Sequence, residues 1–210
     1  MTKAPDLKTR VTSLSDLAAL YGTPSQRSLD KEIDYVSDHY RAFIEKSPFV
    51  LLATVGEGGM DCSPRGDAPG FVEVYDPKTL LLPDRKGNNR VDTLSNIVER
   101  RSIALLFLIP GVGETLRVNG QADVLTDPQL LERFAMDGKI PRSVVCVQVD
   151  RVYFQCQKAL ARSGLWLQES QIDRSELPSA GEILQALSSE SFDGESYDRD
   201  YPEYMKKSLY

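Results

Sequence analysis

From Phe49 to Cys156 the chain alternates short apolar runs with turn residues, whereas on either side its apolar positions recur at helical spacing or thin out. Before Phe49, Ser13 can cap a short helix carrying Leu14, Leu17 and Leu20, which Gly22-Thr23-Pro24 stops. Ser28 can cap a longer helix in which Leu29, Ile33, Val36, Tyr40, Phe43 and Ile44 share a face until Ser47-Pro48 ends it. The spacing then changes. FVLLATV (49–55) is a continuous strand, Glu57-Gly58-Gly59 a hairpin turn, and Met60 to Arg65 the return. FVEVYD and TLLLP form a second pair around Pro77-Lys78, and strands also fit 102–110, 115–126 and 143–156. Asp127 to Met136 reads as a capped connecting helix.

Six or more strands, mostly adjacent in sequence and with short helices between them, favour a mainly β fold: an antiparallel barrel with flanking helices rather than a doubly wound sheet. Three regions are expected, a helical N-terminal extension (1–48), the barrel domain (49–166), and a C-terminal helix with an acidic tail (167–210). Residues 179–188 fit one helix. The segment after residue 188 is acidic, dotted with aromatics and poor in aliphatic residues, so it reads as a mobile or partner-docked tail, and deletion after Ser189 should leave ligand binding intact. There is no internal repeat.

Composition narrows the function classes. A 210-residue chain with 41% apolar residues can bury a sizeable core. A net charge of −6 argues against a general nucleic-acid binder, because the cations are concentrated in a few turns of an otherwise acidic chain. Cys62, Cys146 and Cys156 form no C-x-x-C pair, which argues against a disulfide framework or a zinc site and for a reducing, cytoplasmic setting; Cys62 reads as a small buried thiol. No apolar leader follows Met1-Thr2-Lys3, and no run approaches membrane-spanning length.

The candidate chemistry begins where LLLP (80–83) runs into Asp84, Arg85, Lys86, Gly87, Asn88, Asn89 and Arg90. Three cations within six residues, a glycine and two amide side chains suit the oxygens of a phosphate monoester. Asp92 or Thr93 can open a helix carrying Leu94, Ile97 and Val98, whose N-terminus would point back at the same anion. Ser63-Pro64-Arg65-Gly66-Asp67 is a second cationic turn at a strand end, and Arg117-Val118-Asn119-Gly120 adds donors in another strand. Lys158 and Arg162 are four apart, so a helix would put them on one face, which Trp166 continues. Enzymes of acid–base type usually show a histidine, and the single one here, His39, falls within the long N-terminal helix; no metal ligand set stands out. Gly111-Val112-Gly113 opens no helix and reads as a hairpin rather than a dinucleotide loop.

Cys62-Ser63-Pro64-Arg65-Gly66-Asp67, Leu82 through Arg90, Pro110 through Gly120, and Lys158-Ala159 with Arg162 through Trp166 stand in an order that resembles one FMN-dependent branch of the flavin-binding split-barrel proteins related to pyridoxamine 5′-phosphate oxidase. The resemblance covers about Phe49 to Trp166. It implies an FMN-binding split barrel, a homodimer whose flavin site is completed at the subunit interface, and two-electron redox chemistry on a small organic substrate. It also implies that Leu82 and Pro83 lie along the flavin edge and that Arg65, Arg85, Lys86, Asn89 and Arg90 serve phosphate and ribityl chain, Arg90 foremost. Arg117, Lys158, Arg162 and Trp166 complete the expected cofactor set. A phosphate cradle in a chain with few catalytic side chains fits a cofactor that brings its own reactivity. The alternatives are a non-catalytic flavin-binding or haem-handling accessory protein and a reductase using the deazaflavin F420. Pyridoxamine phosphate oxidation itself is doubtful, because the chain ends in DYPEYMKKSLY rather than in the Arg-Leu-x-Pro terminus of true oxidases of that substrate.

Overall fold

The structure is a computed structural model that describes residues 10–188 and 192–210. The chain divides into two compact units, Met1–Glu32 and Ile33–Tyr210. In the first, α1 (Leu14–Tyr21) is capped by Ser13, whose side chain accepts from the Asp16 amide at 3.1 Å, and α2 (Gln26–Asp30) follows. None of the described residues of these two helices is buried.

The single long helix expected from Ser28 to Ser47 is not formed. Ile33 instead pairs with Val152 through backbone bonds of 3.1 and 2.8 Å, and the Val36 amide donates to Pro77 O at 2.7 Å. A short helix, α3 (Asp38–Lys46), then starts at a Ser37 cap. Helical spacing of Ile33 and Val36 was compatible with strand-like anchoring too, and the available backbone partners decided the matter. Val36, Tyr40 and Ile44 are buried against the sheet; His39 is exposed on the other side.

The sheet has seven antiparallel strands: β1 (Phe49–Gly56), β2 (Gly59–Gly66), β3 (Glu73–Asp76), β4 (Thr79–Pro83), β5 (Ser102–Leu108), β6 (Thr115–Leu125) and β7 (Val144–Gln155). Their order is β2-β1-β5-β6-β7-β4-β3, so β2 and β3 are the two edges and the sheet is not closed by a ladder between them. Alternate residues of β1, β5 and β6 point to one core, the period-2 signature of a half-buried sheet. That core holds Val50, Leu52, Leu80, Leu82, Leu105, Phe107, Leu116 and Val118, with Ile44 and Ile97 contributed by helices. All five residues of β4 are buried, because the reverse side of β4 and β7 is covered by α5 (Pro128–Glu132) and Phe134. This explains why TLLLP reads as an unbroken apolar run. The connecting helix is shorter than the expected span to Met136; Asp127 does cap it, accepting from the Leu130 amide at 2.9 Å.

Gly120 sits at a register shift between β6 and β7, and a Cβ there would lie 1.9 Å from Gln148 O. Only a glycine lets the two strands approach at this bulge.

After β7, α6 (Lys158–Ser163) ends at Gly164, which has φ of 62°. The helix expected over 179–188 is formed, and the segment expected to be a mobile or partner-docked tail carries a second helix. α7 (Ala180–Leu187) and α8 (Gly194–Ser208) pack together, with Gly181 and Gly194 at their crossing, and Asp198 accepts from the Gly181 amide at 2.8 Å and from the Ser179 hydroxyl. Ser189, the point of the expected truncation, lies outside the described residues. No helix among the described residues is long and apolar enough to cross a membrane.

Candidate functional site

Two strand ends and one helix start meet at a cleft of about 1020 Å³. The end of β2 supplies Ser63 and Arg65, and the end of β4 supplies Pro83 and then the loop from Asp84 to Arg90. α4 (Asp92–Arg100) rises from that loop, and residues 139–143 close another side before β7 begins. Seven lining residues are cationic and three are acidic, an inversion of the chain's overall −6 charge. Counter-charge for an anion is therefore concentrated here.

The loop geometry is unusual. Asn89 and Val91 have φ of 60° and 54°, the left-handed region that a β-branched residue seldom enters. Asp92 opens α4, as the sequence led us to expect, but the N-cap position falls on Val91, which provides no side-chain cap. The first amides of α4 are left without the usual capping oxygen, which is the arrangement that receives an external anion. Ile97 is buried and Leu94 half-buried, whereas Val98, expected on the same face, is exposed.

A directed chain of hydrogen bonds holds Arg65. Its Nη1 donates to Ser63 Oγ at 2.9 Å, Ser63 Oγ lies 3.0 Å from Thr93 Oγ1, and Thr93 Oγ1 donates to Asp61 Oδ2 at 2.7 Å. Because Thr93 spends its proton on Asp61, Ser63 is the donor to Thr93, and the whole run points toward the carboxylate. Asp84 is partly buried between opposing influences: burial pushes its carboxyl up, while Arg65 and Arg142 pull it back. Arg142 Nη1 donates to Asn89 Oδ1 at 3.3 Å, tying residues 139–143 to the loop.

Arg85 is engaged differently from its neighbours. Its Nε donates to Asp67 Oδ2 at 2.7 Å and its Nη1 to Phe134 O at 2.6 Å, and its guanidinium lies 5.6 Å from the centre of the Tyr210 ring. The Asp67 side chain is fully buried and that of Arg85 is 17% exposed. Burial opposes ionisation of Asp67, but the Ala68 amide, the Tyr210 hydroxyl and Arg85 together hold its carboxyl below the ordinary range. Arg85 thus bridges the end of β4 to the end of β2, across the open side of the sheet.

Of the residues expected at the site, Arg65, Pro83, Arg85, Lys86, Asn89 and Arg90 come together in the cleft. Leu82 lies in the core with its side chain buried. Arg117 is exposed on β6 and donates to the Tyr153 hydroxyl at 2.8 Å. Lys158 and Arg162 are exposed on α6, and the left-handed Gly164 turns the chain before Trp166, which therefore does not extend their face. The Trp166 indole N–H donates to Val112 O at 2.8 Å, on the β5–β6 hairpin. None of these five, Leu82 included, lines the cleft. Cys62, expected to be buried, is exposed.

Sequence reasoning missed Arg142, Lys139, Lys207 and Tyr210 in the cleft wall. Lys139-Ile140-Pro141-Arg142 immediately precedes a strand, a strand-end position like the one that drew attention to Ser63-Pro64-Arg65, and could have been read that way. Lys207 and Tyr210 had no local signal. Among the described residues no group of three or more His, Cys, Asp or Glu side chains is placed to hold a metal ion.

An antiparallel sheet left open on one side, with a cation-lined cleft at the ends of two separated strands, defines a split-barrel protein. The sequence model of the pyridoxamine 5′-phosphate oxidase family matches residues 36–156, more than half of the chain, and the chain belongs to that family. It is a family of flavin-related oxidoreductases whose members are typically dimeric. Among solved structures, HupZ of Group A Streptococcus is similar with a TM-score of 0.46 and 19% identity, over 56% of this chain and 91% of its own. An F420 reductase has a TM-score of 0.41 and 20% identity over 57% and 98%, and an FAD-binding protein from Mycobacterium smegmatis 0.40 and 13% over 59% and 97%. No curated protein matches the chain.

Proposed function

We propose that this protein is an FMN-dependent oxidoreductase that carries out two-electron chemistry on a small organic substrate, acting as a homodimer in the cytoplasm. The observation that carries this reading is the donor set of the cleft: Arg65, Lys86, Asn89, Arg90 and Arg142 beside an uncapped helix N-terminus. Cations, amides and free backbone N–H groups are the chemistry that a phosphate monoester requires. The cleft volume is at the upper end of the roughly 300–1000 Å³ usual for small-molecule sites, enough for a nucleotide-sized ligand.

In this reading Arg65, Lys86 and Arg90 hold the phosphate, with Arg65 fixed by its Ser63–Thr93–Asp61 relay. Asn89 and Arg142 act as a pair, since they are already bonded to each other. Arg85 serves as a positioning residue, because its donors are directed at Asp67 and Phe134. Asp84 offers an acceptor for a ligand hydroxyl or ring N–H in a place where burial favours a shared proton. The backbone at Leu82 and Pro83 borders the cofactor while the Leu82 side chain anchors the strand. When bound, FMN supplies the redox reactivity that the side chains lack. Arg117, Lys158, Arg162 and Trp166 act in this scheme from the second subunit.

Absorbance and mass analysis of gently purified protein, followed by titration with FMN and riboflavin, tests the cofactor. FMN should bind far more tightly; equal affinity for the two removes the phosphate from the reading. Reduction of the loaded protein by NAD(P)H with a screen of acceptors then separates an enzyme from a carrier.

A further inference from the structure

The chain's acidic C-terminal region ends on a basic note, with Lys206 and Lys207 in the last turn of α8. Beyond it, Tyr210 is held from three elements. Its hydroxyl donates to Asp67 Oδ1 at 2.8 Å, its ring lies 5.6 Å from the Arg85 guanidinium, and its backbone oxygen accepts from Lys139 Nζ at 2.8 Å. Lys207 and Tyr210 both line the cationic cleft.

This placement has an electrostatic cost. Lys207 is brought to a cleft already lined by six cations, Arg65, Arg85, Lys86, Arg90, Lys139 and Arg142, against three carboxylates, and the excess of like charge in a partly desolvated cleft repels it. An anion in the cleft removes that repulsion and adds attraction to Lys207. Anion binding and docking of this segment therefore favour each other, and by linkage the effect is reciprocal.

We propose that Lys207–Tyr210 is a strap that closes over an anionic ligand in the cleft, with the Tyr210 hydroxyl on the buried Asp67 carboxylate as its latch. The ligand identity rests on the FMN reading above; the strap does not. The latch bond joins a neutral donor to an ionised acceptor, and its loss should speed ligand escape about tenfold.

The test uses the full chain, wild type and Tyr210→Phe, which keeps the ring and removes the latch. FMN release is followed by recovery of flavin fluorescence after dilution, and hydrogen exchange is measured over Met205 to Tyr210 with and without FMN. Release about tenfold faster in Tyr210→Phe, with FMN slowing exchange of the segment in wild type and less so in the variant, is the expected result. Equal release rates, or exchange indifferent to FMN, would overturn the strap. If wild type takes up no FMN, the cofactor reading fails on its own, and inorganic phosphate becomes the probe. Slowed exchange with phosphate in wild type but not in Lys207→Gln then supports the strap, and unchanged exchange overturns it.

Discussion

Replacing Arg85 by Ala tests whether this cation is a pillar of the fold or a ligand contact. The Asp67 carboxylate it pairs with is fully buried and Arg85 itself is 17% exposed, so little solvent screening weakens the pair. Breaking a buried pair by removing one partner costs roughly 3–5 kcal/mol. Asp67 keeps two donors, the Ala68 amide at 2.7 Å and the Tyr210 hydroxyl at 2.8 Å, which places the expected loss near the low end, about 3 kcal/mol. For a chain of this size each kcal/mol moves the melting temperature by about 2–4 °C, so a fall of roughly 6–12 °C is expected. Urea denaturation and calorimetry measure it.

The pH dependence of that loss carries a sign. The carboxyl of Asp67 is held below its ordinary value in the folded state, where the amide, the hydroxyl and Arg85 outweigh burial. Its contribution is thus complete above the unfolded value of about 3.9 and disappears as pH falls through the lower folded value. The stability gap between wild type and Arg85→Ala should be flat from neutral pH down to about 4 and shrink below it. A loss under about 0.5 kcal/mol at neutral pH would refute the pillar, since that is the range of an ordinary surface substitution. A gap that persists undiminished at strongly acid pH would refute the role of the Asp67 charge.

Arg90→Ala, by contrast, removes a residue whose side chain is 74% exposed and paired only locally with Asp92, so stability should hardly change while FMN affinity falls roughly 10- to 100-fold by calorimetric titration. Unchanged affinity would take Arg90 out of the site. Gly120→Ala puts a Cβ against Gln148 O and should destabilise by about 1–3 kcal/mol or more in thermal unfolding, through displacement of β7. A melting temperature equal to wild type would show that the bulge can yield. Light scattering at micromolar concentration should give the mass of a dimer, and a monomer with FMN fully bound would reject the shared site. In that dimer, Lys158→Ala or Arg162→Ala should lower FMN affinity or kcat/KM; wild-type values in the double variant would leave both as solvated helix positions.

The strands and the cationic loop were legible in the sequence because their determinants are local. The short apolar runs of β1, β5 and β6, the Glu57-Gly58-Gly59 turn, and the abrupt passage from TLLLP to a cationic glycine-containing loop each concern residues a few positions apart. Tertiary structure alone decided what those local units do together. Arg85, Lys86 and Arg90 look alike in sequence, yet a carboxylate eighteen positions away claims Arg85 for the frame of the barrel. Helical spacing from Leu29 to Ile44 gave way at Ile33, because the backbone of Val152 offered bonds that a helix would have forgone. Trp166 lost its place beside Lys158 and Arg162 through one left-handed glycine. Composition made the last residues look like a mobile or partner-docked tail, since aliphatic content measures core-building and says nothing of a hydroxyl that can reach a buried carboxylate 143 positions away. Periodicity is set by bonds along the chain; the partition of charge between scaffold and site is set by which distant groups the fold brings within hydrogen-bonding distance.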